Sequence, residues 1–354
     1  MNIIKFGWTD FFKSFDTKEN YTFPGRVTKQ EKGIYTVFAE NGEFNCQLSG
    51  KFRYDNHNTG IYPTIGDWVG ITTENTPLIH YVFPRKSFIS RSYGEENEKT
   101  SLIAANVDYV FIMTSFDCDL SVPRLERYIN QTLDGKSVPV IIINKSDLED
   151  NYQKISDELY IQLFGVDIFP VSVKTGEGMN KVIEFMKSGK TYVLCGSSGV
   201  GKSSMINFLS SEELAKTFEV RHKDSKGRHT TTNKELYILE NGAVIIDTPG
   251  MREFGVISSA ESINTSFEDI LTLSLKCKFS NCKHENEPGC AVLSAINNDK
   301  LSIERLDNYK KLLKEAEYAS QKQSDKKSGF DKKRTEKLKE IAKLCKQMKK
   351  KKPV

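Results

Sequence analysis

A chain of 354 residues is long enough for two or three domains, each burying its own core. It is 38% hydrophobic and 28% charged, and no stretch approaches the ~18–20 apolar residues of a membrane span, so a soluble protein with no membrane partner is expected. Seven cysteines in this length do not make a disulfide scaffold. The net charge of +4 is uneven, since residues 321–354 hold fourteen Lys/Arg against four Asp/Glu, a tail suited to a phosphate-rich polymer.

In chain order, residues 1–20 form an N-terminal extension with aromatics (Trp8, Phe11, Phe12) interleaved with charges. They lack the basic flank, apolar run and small-residue site of a secretory signal, and the protein is expected in the cytoplasm. Residues 21–86 alternate in short segments split by turn residues: Gly25-Arg26-Val27, Gly33 to Phe38, Phe44 to Leu48 and Gly66 to Ile71, with Asn41-Gly42 as a hairpin signal. About five short strands in this span predict a small closed barrel of the oligonucleotide-binding (OB-fold) kind.

Across residues 87–256 the texture changes to apolar runs (Val107–Met113, Val138–Ile143, Val166–Val171, Tyr192–Leu194, Ala243–Ile246). Helical stretches at Pro123–Leu133, Tyr152–Phe164 and Met179–Met186 separate them. This predicts an α/β domain with a parallel sheet covered on both faces and its chemistry at the strand carboxyl ends. Residues 257–320 carry a Cys/His cluster and a helix over Ser302–Ala319. The basic tail, residues 321–354, has a second helical pattern over Lys332–Met348.

Gly196, Ser197, Ser198, Gly199, Val200, Gly201, Lys202 and Ser203 fit the phosphate-loop pattern G-x-x-x-x-G-K-[ST], between a predicted strand and helix, and Ser204 extends the nucleotide-binding run. Glycines let backbone N–H groups converge on phosphate, and the helix start adds its positive dipole end. Lys202 would reach the β- and γ-phosphates and Ser203 would ligate Mg²⁺. Asn144, Lys145, Ser146 and Asp147 follow another strand. A carboxylate only accepts hydrogen bonds, so Asp147 would take the paired N1–H and N2 amino donors of guanine and face a lone pair on adenine. The Lys145 stem would cover one face of the base. Ser172 and Lys174 flank a second base-contacting turn.

Asp247-Thr248-Pro249-Gly250 ends a later strand. Asp247 would hold Mg²⁺ through water and the Gly250 N–H would sense the γ-phosphate. Arg228-His229-Thr230-Thr231-Thr232 supplies first-switch hydroxyls, with Thr231 expected to close on Mg²⁺. Met251 stands where many GTPases place a water-orienting glutamine, and His229 is the expected replacement. The base-reading loops precede the phosphate loop, the reverse of the conventional order, so the domain is expected to be a circular permutation around an unchanged pocket.

Cys277, Cys282, His284 and Cys290 supply three thiolates and one imidazole within fourteen residues, a closed tetrahedral set suited to structural Zn²⁺. In this order, the motifs resemble the ribosome-small-subunit-dependent GTPase A family. Gly25-Arg26-Val27, Gly50-Lys51-Phe52, Ala104-Ala105-Asn106-Val107-Asp108 and Gly227-Arg228-His229 add to the likeness. The resemblance implies an OB-fold barrel, a circularly permuted P-loop GTPase domain and a zinc-binding helical module. It also implies slow turnover of GTP to GDP, stimulated by the 30S subunit during late maturation, 16S rRNA binding and water activation by the switch histidine. Lys99-Thr100 replaces a common Glu-Gln pair, and the aromatic extension and Lys-rich tail are additions. A monomer is expected. A GTPase acting on tRNA or a membrane, and an RNA-binding protein that uses GTP only as a switch ligand, are the alternatives.

Overall fold

The computed structural model describes residues 3–16, 21–31, 33–57, 62–74, 76–93, 99–117, 119–163, 165–210, 235–247 and 260–318. By internal contacts the chain divides into two units, Met1–Val256 and Ile257–Val354.

The first unit opens with a 3-10 turn (Ile3–Phe6) and one helical turn, α1 (Asp10–Lys13). Strands β1 (Phe23–Glu31), β2 (Ile34–Ala39) and β3 (Gly42–Leu48) follow, then helix α2 (Gly50–Asn56) and strands β4 (Trp68–Thr72) and β5 (Leu78–Val82). The order β1-β2-β3-β5-β4, with β4 paired back onto β1, closes the expected five-stranded barrel. Period-2 alternation sends Val27, Tyr35, Val37, Ala39, Cys46, Val69, Ile71 and Ile79 into one core. The β2–β3 turn sits one residue earlier than Asn41-Gly42 suggests. Ala39 pairs with Gly42, so Glu40-Asn41 make the turn and the glycine absorbs a φ of 132° at the strand start. The N-terminal aromatics are part of this body: Trp8 and Phe12 are buried against Trp68 and Phe83.

A hairpin of β6 (Phe88–Tyr93) and β7 (Lys99–Ala105) leads into the second sheet. That sheet comprises β8 (Tyr109–Ser115), β9 (Val138–Asn144), β10 (Ile168–Pro170), β11 (Thr191–Gly196), β12 (Glu235–Ile238) and β13 (Val244–Asp247). Its order is β10-β9-β8-β11-β13-β12, parallel except for β12 against β13. The continuous apolar runs have a simple cause, since both faces are covered. Val110, Ile112, Ile141, Ile143, Val193 and Cys195 share a core with Leu125, Ile129 and Leu159 of helices α3 (Val122–Asp134) and α4 (Tyr152–Gln162). The alternate residues Phe111, Met113, Val140, Ile142, Tyr192 and Leu194 pack on Met179, Val182 and Met205 of α5 (Met179–Phe185) and α6 (Lys202–Ser210). The predicted strand Val107–Met113 begins two residues later, at Tyr109, because Asp108 is occupied with the neighbouring strand: its carboxylate accepts the Thr191 N–H at 2.9 Å.

Edge strand β12 also pairs with barrel strand β1 through Lys29 and Glu235, giving one eleven-stranded sheet. On the same strand β1 a buried charge cross-links the barrel to the sheet that follows it. Arg26, 1% exposed, donates to the carbonyls of Phe6, Gly66 and Asn106 and to Thr191 Oγ1. Burial lowers its pKa to about 10, against the opposing pull of Asp108 and Asp67, so it stays charged. Asp67, 0% exposed, accepts a bidentate pair from Arg85 at 2.7 Å and 2.7 Å and the Thr64 N–H at 2.8 Å.

The second unit is helical among its described residues: Ala260–Ser266, Glu268–Ser274, Ala291–Asn297 and 303–318. Ile263, Phe267, Ile270, Val292, Leu306 and Leu312 build its core. Arg305 Nε donates to Asp269 at 2.7 Å while its guanidinium lies 4.6 Å from the Phe267 ring centre. No helix among the described residues is long and apolar enough to cross a membrane.

Candidate nucleotide site and metal centre

Strand β11 ends at Gly196, the loop 197–201 follows, and α6 begins at Lys202. Two glycines are required by geometry. Gly196 has φ 139° and a Cβ there would lie 2.1 Å from the Met113 carbonyl; at Gly201, φ 100°, it would lie 2.2 Å from Asn144 Nδ2. Lys202 Nζ curls back over the loop, 2.8 Å from the Gly196 carbonyl and 2.5 Å from that of Ser197. Ser203 and Ser204 are exposed at the helix start, where the first-turn N–H groups and the dipole favour an anion.

Asn144, 5% exposed at the end of β9, knits three loops together. Its Nδ2 donates to the Val200 carbonyl of the phosphate loop at 2.8 Å, and its Oδ1 accepts the Val173 N–H at 3.1 Å. The Ser146 N–H donates to the Val171 carbonyl at 3.0 Å. The Ser172 hydroxyl donates to Asp147 Oδ1 at 2.6 Å, and Lys174 Nζ lies 3.9 Å from Asp147 Oδ2. Residues 144–147, 172–174 and 196–203, far apart in sequence, therefore occupy one rim at the carboxyl ends of β9, β10 and β11. Ile246 of β13 is in register with Val193 of β11, which brings Asp247 to the same rim. Its carboxyl is raised by burial and by Glu235, its cross-strand partner. Gly250, Met251, His229, Thr231 and the rest of 228–232 lie outside the described residues, as does the tail from 321.

Two residues at this rim carry no motif. Glu235 faces Asp247 across the β12–β13 pair. Asp117, two residues past β8, accepts a charged hydrogen bond from Lys145 Nζ. The one sequence signal for Asp117 is its place just beyond the carboxyl end of a strand, where open parallel sheets bind ligands.

In the second unit the ligand atoms of Cys277, Cys282, His284 and Cys290 lie within 4.8 Å of one another. Cys277 Sγ is 3.9 Å from Cys290 Sγ and 3.7 Å from His284 Nδ1, which is 3.3 Å from Cys290 Sγ. Two sulfurs each about 2.3 Å from one tetrahedral ion stand about 3.8 Å apart, so the donor set fits a single Zn²⁺. The N–H groups of Ala291 and Leu293 approach the Cys277 and Cys290 sulfurs at 3.4 Å and 3.4 Å, as they would to support thiolates. Glu287 pins the ligand loop by accepting the N–H groups of Lys283, Glu285 and Asn286 at 2.7, 2.8 and 3.1 Å. Those bonds, chiefly from Glu285 and Lys283, hold its carboxyl down to about 2.

A G-x-x-x-x-G-K-[ST] loop on the central strand, with the loops 144–147 and 172–174 of the same rim encoded before it, is the arrangement of a circularly permuted GTPase. Comparison with known proteins agrees. The RsgA GTPase family model matches residues 82–257, the RsgA N-terminal domain model residues 24–77, and a model described as a 50S ribosome-binding GTPase residues 191–353. The chain is 40% identical to the small ribosomal subunit biogenesis GTPase RsgA 1 of Listeria innocua over 92% of each chain. It is 34% identical to RsgA of Methanosarcina acetivorans over 89% of this chain and 86% of that one. Among solved structures, YjeQ from Thermotoga maritima superposes with a TM-score of 0.62 at 28% identity, covering 83% of this chain and 98% of that one. YloQ, a circularly permuted GTPase, gives 0.60 at 26% identity over 85% and 97%. The chain belongs to the RsgA GTPase family.

Proposed function

We propose that this protein hydrolyses GTP to GDP and phosphate, slowly on its own and faster on the 30S ribosomal subunit, whose late maturation it assists in the cytoplasm. The observation that carries the nucleotide reading is Asn144, which bonds the phosphate loop and the second base loop at once. Such a rim is pre-organised for a ligand with a base at one end and phosphates at the other. Asp147, steadied by Ser172, would accept the guanine N1–H and N2 amino donors. Lys202 and the N–H groups at the start of α6 would hold the phosphates.

Ser203, Thr231 and Asp247 would hold Mg²⁺, which offsets charge on the phosphates. His229 would orient the attacking water in place of the glutamine that Met251 displaces, with Gly250 sensing the γ-phosphate. Cys277, Cys282, His284 and Cys290 would hold one structural Zn²⁺. The names of the relatives support the small subunit as partner. Contact with 16S rRNA draws support from the barrel, whose helix α2 exposes Lys51, Arg53 and Tyr54, the last 84% exposed, together with the basic tail. Cations with an exposed aromatic suit a nucleic-acid strand.

Multiple-turnover phosphate release, measured alone and with 30S subunits, 50S subunits or tRNA, tests the proposal. Stimulation confined to 30S is expected. Met251 favours a second reading, an RNA-binding switch with negligible turnover, and release that stays flat with every particle would establish it. His229→Ala is expected to abolish single-turnover hydrolysis with GTP affinity kept.

A further inference from the structure

The geometry points to Asp117 as a positioning residue of the guanine site: fixed by Ser115, it holds the Lys145 side chain in place before nucleotide arrives. The inference rests on Asn144–Asp147 being the base loop.

Lys145 has φ 64° and ψ 39°, the left-handed region that a side-chain-bearing residue enters at a cost and usually for a functional reason. That backbone sends its ammonium to the loop after β8, where it donates to Asp117 Oδ2. Asp117 is itself anchored, because the Ser115 hydroxyl donates to Asp117 Oδ1 at 2.6 Å. Ser115 is 0% exposed and in register with Asn144, whose carbonyl accepts the Phe116 N–H at 3.1 Å. The carboxylate is thus tied to the end of β8, in register with the end of β9 that carries the base loop. The Lys145 hydrogen bond, then the one from Ser115, holds the Asp117 carboxyl below its ordinary value, so it is ionised at neutral pH.

A long flexible side chain that must lie along one face of a base pays rotamer entropy on binding unless it is already held. An ion pair with side chains 31% and 35% exposed adds little to folding stability. Its consequence should therefore appear in nucleotide affinity and not in the melting temperature. Nor does Asp117 read the base edge, which is the work of Asp147. Its loss should weaken every purine nucleotide alike.

Calorimetry with GDP and with inosine diphosphate, which lacks the 2-amino group, tests this. Asp117→Ala is expected to weaken both by the same factor, about three- to tenfold. The GDP-to-IDP ratio and the melting temperature should stay at wild type, and Asp117→Glu should recover part of the loss. Lys145→Met, which keeps the stem without the ammonium, should match Asp117→Ala, and the double variant should be no weaker than either single one. Unchanged GDP affinity in Asp117→Ala, or losses that multiply in the double variant, would overturn the assignment. Failure of the underlying base-site reading looks different: Asp147→Asn would then leave the preference for guanosine over xanthosine diphosphate as it was.

Discussion

Glu287 illustrates how much one side chain can organise. Its two oxygens take three backbone N–H groups in the loop that presents Cys282 and His284, and His284 itself sits at φ 56°. A loop held in that conformation keeps its imidazole aimed whether or not the thiolates are loaded. Because the Glu287 carboxyl is depressed to about 2, its anchoring is complete above the ordinary glutamate range near 4.5. It fades only as pH falls through about 2. Glu287→Ala should therefore lose metal to a chelator faster than wild type at pH 7, with the four ligands intact. Equal rates would show that the ligands alone shape the loop. No spacing rule in the sequence marks Glu287 as the residue that pins this loop. The Cys/His cluster itself was legible because its four side chains fall within one short segment.

Among elements, what could be read from sequence was whatever depends on local period. The parallel strands were legible because coverage on both faces makes every position apolar, and the barrel because one face is core and the other solvent. The motif loops followed from those strand ends. Pairings over long sequence separations were not legible. The register of Ser115 with Asn144, the packing of Trp8 on Trp68, and the β1–β12 seam all arise from contacts that leave no periodic trace. The Asp67–Arg85 pair belongs to this class. It has side chains 0% and 16% exposed, and burial pushes the Asp67 carboxyl up while Arg85 opposes. Removing the cation leaves a buried carboxylate unmatched, which costs about 3–5 kcal/mol. Arg85→Met should therefore lower the urea midpoint of the first unit strongly. Adding Asp67→Asn should restore part of it, because the uncompensated charge is gone. A midpoint unmoved by Arg85→Met would mean that Thr64 and Arg26 alone suffice.

At the scale of the whole chain, division of labour between the two units can be tested through the metal. Every described residue of the nucleotide rim belongs to the unit Met1–Val256, and every ligand of the Cys/His cluster to Ile257–Val354. The second unit has a small helical core, and Cys277 and Cys290 of the Cys/His cluster belong to the side chains that build or border it. In such a module binding of a structural ion is largely folding free energy, on the order of 10 kcal/mol where it has been dissected in comparable small sites. Cys290→Ser, or a strong chelator on the wild-type protein, should therefore remove one zinc per chain by atomic absorption. Helical circular dichroism should fall with it. GDP affinity should stay within about twofold, since 1.4 kcal/mol is a full factor of ten and no ligand of the nucleotide rim is touched. A collapse of GDP binding on zinc removal would show that the rim depends on the second unit, and retention of one zinc by Cys290→Ser would remove that cysteine from the ligand set.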